Sequence, residues 1–260
     1  MSQWTVISKS HHAQALYYPR EGYHHAREQL VASVLLAELP KLVQHFTLGF
    51  MPKGERYVAV ALLAVEQSQN LYVHPDGRWL GGYVPASLRG YPFSLLPDEH
   101  GQRVLCIDAE QLTDAADLGQ PLFDEHGHPS TAVAKQLDFH KYCEANRQRT
   151  QQAVDALQQA DVLHPWPLEV NQGEGETSRK IEGLYRIDEK ALNTLEATTY
   201  ATLQGAPMAL AHAQLFSAHQ LSQLTERARF HAQHASQEVP ENLDSVLDGV
   251  NDDDLTFDFD

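Results

Sequence analysis

Residues 57–96 read YVAVALLAVEQSQNLYVHPDGRWLGGYVPASLRGYPFSLL, and this stretch carries the clearest signals of the fold. The apolar run at residues 57–65 predicts a strand, and residues 71–73 predict a second strand that pairs back onto it. The Pro-Asp-Gly sequence at residues 75–77 supplies the residue types of a tight turn. Arginine and aromatic side chains then follow in close succession, and these are Arg78, Trp79, Tyr83, Arg89 and Tyr91.

The segments on either side of this stretch also carry apolar patterns. Residues 30–39 place apolar side chains on one helical face, which predicts a helix that Pro40 ends. Residues 47–51 predict a strand. Residues 103–108 predict another, whose apolar centre indicates burial on both faces. Glycines and prolines punctuate residues 113–129, which we expect to form an ordered loop.

The second half of the chain predicts helices and a hairpin. Ser130 is the expected N-cap of a long helix that ends near Ala160. The polar run at residues 146–152 predicts that the middle of this helix is solvated. Residues 166–171 and 180–187 predict a β-hairpin with a long loop.

These patterns predict an α+β protein with a mostly antiparallel sheet in the N-terminal half and helices plus one β-hairpin in the C-terminal half. The last helix is expected at residues 207–233, with apolar residues at helical spacing. We expect one domain over residues 1–235, with subdomains 1–129 and 130–235 as the alternative, followed by an acidic tail at residues 236–260.

The charge distribution excludes some classes of partner. The formal net charge is -16. Residues 236–260 hold nine acidic and no basic side chains, so the tail carries -9 and the remainder -7. A negative body repels phosphate backbones, and we therefore expect no direct binding of nucleic acid.

The expected location is the cytoplasm. The chain shows neither a signal peptide pattern nor an apolar stretch near the roughly 20 residues that a membrane span requires. Cys106 and Cys143 have apolar neighbours and no C-x-x-C spacing, which indicates buried free thiols in a reducing compartment.

A few histidines and one aspartate are the candidates for a metal site. His74 and Asp76 have the H-x-D order of facial-triad iron sites, His126 and His128 share a loop, and His212 lies on the last helix. We favour the interpretation that His74 and Asp76 belong to a turn and that His126 and His128 lie in a solvated loop. We interpret His212 as a histidine at a packing interface. We predict no cofactor.

The Arg78–Tyr91 group suggests a binding groove. Aromatic faces of Trp79, Tyr83 and Tyr91 suit a peptide or small ligand, and Arg78 or Arg89 suits a carboxylate. The alternative is that these side chains pack in the core and stabilise a reversal of the chain direction. Burying a guanidinium without a partner costs several kcal/mol, so packing alone does not explain the two arginines well.

The C-terminal tail interleaves acids with apolar side chains. Leu255, Phe257 and Phe259 alternate with aspartates, as in short peptides that dock on partners, and this resembles the acidic tips of single-stranded-DNA-binding proteins. The alternative is a solubilising disordered tail.

Several motifs in one order resemble the bacterial SapC family over about residues 28–232. They are LLAELP at 35–40, DGRW at 76–79, YPF at 91–93, PLFD at 121–124 and GLYRID at 183–188. The resemblance implies an association with bacterial surface layers and serum resistance, but it implies no catalytic residue. Gly90 stands where the family often has a second arginine, and the acidic tail lies outside the family pattern.

We therefore expect a cytoplasmic, SapC-like binding or accessory protein that holds a peptide, a protein segment or a small ligand, with a protein or peptide partner. Enzymatic activity is the less favoured interpretation, because no nucleophile motif or phosphate loop is present. Two alternatives stay open. One is a metal-dependent enzyme, possibly with non-haem iron, and the other is an adaptor that docks partners through its acidic aromatic tail.

Overall fold

The computed structural model describes residues 3–65, 69–170 and 179–238. The strands are, in chain order, β1 (Trp4–Val6), β2 (Leu16–Tyr17), β3 (Val31–Ser33), β4 (Leu48–Lys53), β5 (Arg56–Leu62), β6 (Phe93–Pro97), β7 (Arg103–Asp108), β8 (Leu112–Thr113), β9 (Gln120–Pro121), β10 (Leu163–Pro165), β11 (Leu168–Val170), β12 (Arg179–Ile181) and β13 (Tyr185–Ile187). The helices are α1 (Lys9–His12), α2 (Leu39–Leu42), α3 (Ala86–Arg89), α4 (Thr131–Gln159), α5 (Glu189–Asn193), α6 (Ala197–Thr202), α7 (Ala206–Ser217) and α8 (Leu221–Glu238). The predicted α+β class is confirmed, with strands mainly in the N-terminal half and helices in the C-terminal half.

The largest sheet has five antiparallel strands in the order β10-β13-β4-β5-β3. Its centre is the β4–β5 hairpin, in which Leu48 pairs with Ala61 and Lys53 pairs with Arg56. Gly54 has a φ of 64°, in the left-handed region that glycine adopts readily, and this allows the tight turn between the two strands. Because β10 and β13 belong to the second half of the chain, the sheet joins both halves.

Helix α4 connects two hydrophobic clusters. Near its start, Val133 packs into the smaller cluster with residues of β2, β6 and β7, and near its end Val154 and Leu157 are fully buried in the larger one. The predicted N-cap is confirmed, since the Ser130 hydroxyl accepts a hydrogen bond from the backbone N–H of Val133.

The prediction of a solvated middle of α4 holds for Arg147, Gln148, Arg149 and Gln152, which are exposed, and is wrong for the side of the helix that faces inward. Asn146 and Thr150 are both buried. Asn146 Oδ1 accepts the backbone N–H of Ala37 at 3.1 Å, and Thr150 Oγ1 accepts that of Leu36 at 3.0 Å. The 3₁₀ turn at Leu36 and Ala37 packs against α4, and its backbone N–H groups need acceptors there. Polar side chains of the helix are therefore buried where they supply those acceptors.

The helix predicted at residues 30–39 is also wrong. The segment forms β3, continues through extended Leu35 and reaches a 3₁₀ turn at Leu36–Glu38, followed by α2. Pairing of β3 with β5 outweighs the helical spacing of the apolar residues. Pro40 lies in the first turn of α2, where its missing N–H costs no hydrogen bond.

The second strand expected at residues 71–73 does not form. The N–H of Leu71 donates to the carbonyl of Leu63, but the chain then turns and makes an isolated bridge between Val73 and Trp79. The Asn70 side chain directs this path, because it accepts the N–H of Tyr72 and donates to the carbonyl of Ala26.

The last predicted helix is divided into α7 and α8 by a 3₁₀ turn at Ala218–Gln220. Two buried polar side chains of α7 bind the central sheet instead of solvent. Gln214 Oε1 accepts the N–H of Ile187, and Ser217 Oγ accepts that of Leu48. The end of α7 is thereby fixed against β4 and β13.

The predicted hairpin in the second half is present as the β11–β12 pair, extended by the β10–β13 pair. Residues 171–178 of its loop lie outside the described residues, as does the tail beyond Glu238. Among the helices in the described part of the chain, none is long and apolar enough to cross a membrane.

Candidate functional site

Glu38 organises the residues that follow the Pro-Asp-Gly turn. It is 6% exposed, and its Oε1 accepts the hydroxyl of Tyr83 at 2.6 Å and the backbone N–H of Ala86 at 2.7 Å. The guanidinium of Arg89 lies 3.3 Å from the same oxygen. Ala86 is the first residue of α3, so Glu38 binds the start of this short helix and pairs with its last residue. A buried carboxylate requires such partners.

Arg89 and Tyr83 are therefore committed to a structural contact. The Arg89 guanidinium also lies 5.5 Å from the ring centroids of both Tyr83 and Phe139. Burial, followed by the hydrogen bond to Glu38, raises the pKa of Tyr83 to about 12. The hydroxyl is thus a permanent donor at neutral pH.

Cys143 of α4 lies beside this cluster and is not an activated thiol. Burial raises the pKa of Cys143 to about 11, and the charge of Glu38 adds to this effect while Arg89 opposes it. Because the thiolate is the reactive species, Cys143 is protonated and unreactive at neutral pH.

Trp79 is partly buried and packs against the core. Its indole N–H donates to the carbonyl of Tyr83 at 2.7 Å, and its ring stacks on Tyr72 with centroids 5.4 Å apart. Tyr72 is buried in turn and donates from its hydroxyl to the carbonyl of His45. The indole therefore fixes the chain path on both sides of the Gly81-Gly82 pair.

Arg78 lies in the exposed turn. Its side chain is 72% exposed and its Nε donates to Asp76 Oδ2 at 2.7 Å. The backbone N–H of Arg78 is the main cause that lowers the pKa of Asp76 to about 2. Gly77 adopts a φ of 86° in this turn, close to the ring of His24. These contacts agree with the interpretation of residues 75–77 as a turn.

Tyr91 occupies a different environment from Tyr83 and Arg89. Its ring stacks on His25 with centroids 4.1 Å apart and planes within 5°, and its hydroxyl donates to Oδ2 of the buried Asp108 at 3.1 Å. The position of His25 is fixed by a 3.2 Å hydrogen bond from Nε2 to the carbonyl of Leu88 in α3.

His25 is neutral at physiological pH. Burial lowers the pKa of His25 to about 4, against the opposing effect of the Leu88 carbonyl. Because a carbonyl only accepts, Nε2 must carry the ring proton, and Nδ1 is left as the acceptor. The His25–Tyr91 pair is therefore an uncharged pair of stacked rings with one nitrogen, Nδ1, that can accept a hydrogen bond.

This pair of rings forms part of a cleft with a volume of about 620 Å³. Four charged side chains also line it, and these are Arg20, Glu21, Asp108 and Glu110. Arg20 packs over the ring of Tyr23 at 4.3 Å. The volume lies within the usual range for sites of small ligands, and the cleft combines a flat apolar surface with acceptors on its rim. We call it the His25–Tyr91 cleft.

The five residues expected to line one groove are thus divided. Tyr83 and Arg89 meet at Glu38, and Tyr91 lines the His25–Tyr91 cleft. Trp79 packs against the core, and Arg78 lies in the turn. Helix α3 connects the first two places, because Leu88 binds His25 while its neighbour Arg89 binds Glu38.

Sequence reasoning missed Glu38, His25 and Asp108. A signal was present for Glu38, since it is the only charged residue in the LLAELP motif. His25 follows another histidine in a segment without periodicity, and Asp108 ends a strand where an acid usually meets solvent. Only the tertiary contacts distinguish these two.

The residues proposed as metal ligands lie in separate places. His74 Nδ1 is 2.9 Å from Asp76 Oδ1. His126 and His128 lie in an exposed turn whose backbone N–H groups are held by Asp124, and His212 of α7 stacks on Phe216. Within residues 3–65, 69–170 and 179–238, no three or more His, Cys, Asp or Glu side chains form a group that could hold a metal ion. The tail residues Leu255, Phe257 and Phe259 lie outside the described residues.

Comparison with known proteins gives a match to a protein-family model. The family model described as SapC matches residues 7–224, which is most of the chain and contains Glu38, α3 and the His25–Tyr91 cleft. No curated protein matches the chain significantly, and no solved structure does so either.

Proposed function

Because the chain belongs to the SapC family over residues 7–224, we propose that it is a binding or accessory protein of this family whose ligand site is the His25–Tyr91 cleft. One observation supports this proposal above all others. Two rings from distant parts of the chain stack at 4.1 Å on the wall of a cleft of about 620 Å³, beside the buried carboxylate of Asp108.

The chemistry of the cleft favours a particular kind of ligand. A planar or aromatic group gains contact area on the His25–Tyr91 pair. Polar N–H groups find acceptors in His25 Nδ1 and in the carboxylates of Glu21 and Glu110, which line the same cleft. We infer that the ligand is a small polar molecule or the end of a peptide segment that combines a flat group with hydrogen-bond donors.

In this proposal, the Glu38 cluster positions the binding site without touching the ligand. Glu38 holds both ends of α3, and the Leu88 carbonyl of that helix orients His25. Tyr83 and Arg89 thus act on binding through α3. This role differs from direct contact with the ligand, which we assign to Tyr91 among the residues predicted from sequence.

We further propose that the protein works in the cytoplasm and without a catalytic step. The free thiols Cys106 and Cys143 support a reducing compartment. The protonated state of Cys143 supports a role that needs no nucleophile there. Metal analysis of protein purified without a histidine tag tests the metal-dependent alternative, since a stoichiometric bound metal would favour it.

The ligand proposal is tested by screening tyrosine amide, tryptamine and short peptides with N-terminal aromatic residues by ligand-observed NMR. The wild type is compared with His25→Ala and Tyr91→Ala, and with His126→Ala in the exposed turn as the matched control. We expect binding to the wild type and the control, and loss of binding in the two cleft variants. Thermal unfolding of each variant establishes that it is folded. Equal binding by folded cleft variants would refute the proposal, as would the absence of any bound compound.

A further inference from the structure

A second groove lies between α4 and the start of α7, and it shares no lining residue with the His25–Tyr91 cleft. Its volume is about 660 Å³, within the usual range for sites of small ligands. Tyr142 of α4, Leu36 of the 3₁₀ turn and Pro207 of α7 supply apolar surface to its lining. Tyr142 is 59% exposed although it is a large aromatic residue, so its ring is open to contact. We call this the α4–α7 groove.

Asn146 lines the groove and gives it a polar donor in a fixed place. The residue is 7% exposed, and its Oδ1 accepts the backbone N–H of Ala37 at 3.1 Å. Because a backbone N–H only donates, this contact sets the orientation of the amide. Nδ2 makes no hydrogen bond to any described residue and is not sealed from solvent. A buried amide that is held in place with unused donors is a preformed partner for an acceptor in the groove.

Arg149 is the charged side chain among the lining residues, which include no carboxylate. In the part of the chain that the structure describes, its guanidinium makes no ion pair. The groove therefore carries a single positive charge in a protein whose net charge is -16. One guanidinium compensates one negative charge, and a carboxylate accepts two of its N–H groups at once. A monoanionic carboxylate thus fits this groove better than a doubly charged phosphate group.

The first turn of α7 adds to the positive character of the groove. Ala206 and Pro207 belong to the lining, and Gly205 at the N-cap provides no side-chain acceptor for the helix. The N–H of Ala206 makes no hydrogen bond to a residue that the structure describes. Since α7 has 12 residues, its N-terminus carries a partial positive charge that favours an anion nearby. The helix start, the amide of Asn146 and the guanidinium of Arg149 thus favour an anion in the same groove.

The spacing along α4 indicates the shape of the ligand. Tyr142, Asn146 and Arg149 follow one another at intervals of four and three residues, which places them on one face of the helix. At a rise of about 1.5 Å per residue, Tyr142 and Arg149 are separated by about 10 Å along the helix axis, with Asn146 between them. A flat group on Tyr142 and a carboxylate at Asn146 and Arg149 can therefore belong to one small molecule with a short linker.

We propose that the α4–α7 groove is a second ligand site, which binds a small carboxylic acid with a flat apolar body. The carboxylate accepts hydrogen bonds from Nδ2 of Asn146 and from the guanidinium of Arg149, and the apolar body packs on the ring of Tyr142. The protein then has two sites of opposite selectivity. The His25–Tyr91 cleft favours a ligand with hydrogen-bond donors, whereas the α4–α7 groove favours an anion.

The test titrates the full chain with 3-phenylpropionate in ligand-observed NMR, and uses 3-phenylpropionamide as a neutral probe of the same shape. We expect the acid to bind at least about tenfold more tightly than the amide, because only the acid forms charge-assisted hydrogen bonds. Arg149→Gln should weaken binding of the acid by about tenfold. Asn146→Asp keeps an acceptor for the N–H of Ala37 but replaces the Nδ2 donor by a carboxylate oxygen, so it should weaken binding by about tenfold or more.

Lys141→Gln is the control that matches Arg149→Gln in charge, since Lys141 is an exposed residue of α4 that does not line the groove. It should alter the affinity by less than about twofold. Thermal unfolding establishes that each variant is folded, and Arg149→Gln, at an exposed position, decides the test if Asn146→Asp does not fold. The proposal is overturned if the acid does not bind, if the amide binds equally well, or if Arg149→Gln has no larger effect than Lys141→Gln.

Discussion

The hydroxyl of Tyr83 donates a 2.6 Å hydrogen bond to Oε1 of Glu38, and this bond joins two motifs that lie 45 residues apart in the sequence. The same oxygen accepts the N–H of Ala86 and pairs with Arg89, so one atom holds the reversal before α3 and both ends of the helix. The Leu88 carbonyl of α3 binds His25, so the contacts between Glu38 and α3 also position one wall of the proposed binding site.

Replacing Glu38 should destabilise the protein strongly. We expect Glu38→Ala to lower the free energy of unfolding by about 3 kcal/mol, because it leaves a partly buried guanidinium and a buried N–H without their acceptor. Urea denaturation followed by circular dichroism measures this. Glu125→Ala, in an exposed turn, should stay within about 0.5 kcal/mol of the wild type. A loss below about 1 kcal/mol for Glu38→Ala would contradict the role assigned to this carboxylate.

Thr150 provides a test of the buried polar middle of α4. Thr150→Val keeps the shape of the side chain but leaves the N–H of Leu36 without its acceptor. We expect a loss of about 1 to 2 kcal/mol in the free energy of unfolding. The same substitution at Thr198, an exposed position in α6, is the control and should have little effect. If both variants behave alike in denaturation, the hydrogen bond to Leu36 contributes nothing measurable.

His25 should make stability depend on pH. Burial lowers the pKa of His25 to about 4 in the folded protein, below the ordinary histidine pKa of about 6.5, so the unfolded chain takes up the proton first as the pH falls. Stability from this group is fully present above pH 6.5 and is lost progressively towards pH 4. Allowing for partial exposure, the loss should be about 1 to 2 kcal/mol.

The variant His25→Gln cannot take up this proton, so its free energy of unfolding should vary less than that of the wild type between pH 6.5 and 4.5. His126→Gln, in the exposed turn, serves as the control and should keep the wild-type dependence. Denaturation midpoints across this pH range give the comparison. A wild-type slope in His25→Gln would show that other groups cause the dependence.

Cys143 should react slowly with alkylating agents. Burial and the charge of Glu38 raise its pKa to about 11, so little thiolate exists at pH 8. In a Cys106→Ser background, we expect iodoacetamide to modify Cys143 at least about tenfold more slowly than a free thiol. Glu38→Gln removes one of the causes of the raised pKa and should accelerate the reaction. Mass spectrometry of timed samples measures both rates, and a fast reaction in the Cys106→Ser protein would contradict a protonated Cys143.

Much of the fold was predictable from local patterns. The strands β4 and β5, the capped helix α4 and the hairpin at β11–β12 follow from apolar periodicity, turn residues and a serine N-cap, whereas the pairing of β4 with β5 does not. The errors arose where a distant partner decided the conformation. Residues 30–39 have helical spacing but include β3, because β5 offers the neighbouring strand with which β3 pairs.

The candidate site was predicted less well than the fold. The sequence pointed to Tyr91, and the stretch that follows the Pro-Asp-Gly turn contains helix α3, on which the cleft depends. It did not separate Tyr91 from Tyr83 and Arg89, because nearness in sequence does not reveal which side chains share a cavity. Glu38 and His25, the partners that separate them, come from other segments.

By itself, the sequence determined the α+β class, the Pro-Asp-Gly turn, the membership in the SapC family and the acidic character of the tail, because these depend on composition, local conformation and the order of motifs. Only the tertiary structure decided that the buried Glu38 carboxylate binds α3, that His25 stacks on Tyr91 and that Asn146 accepts the N–H of Ala37. Each of these depends on burial and on a partner far away in the chain, and neither quantity is contained in a local pattern.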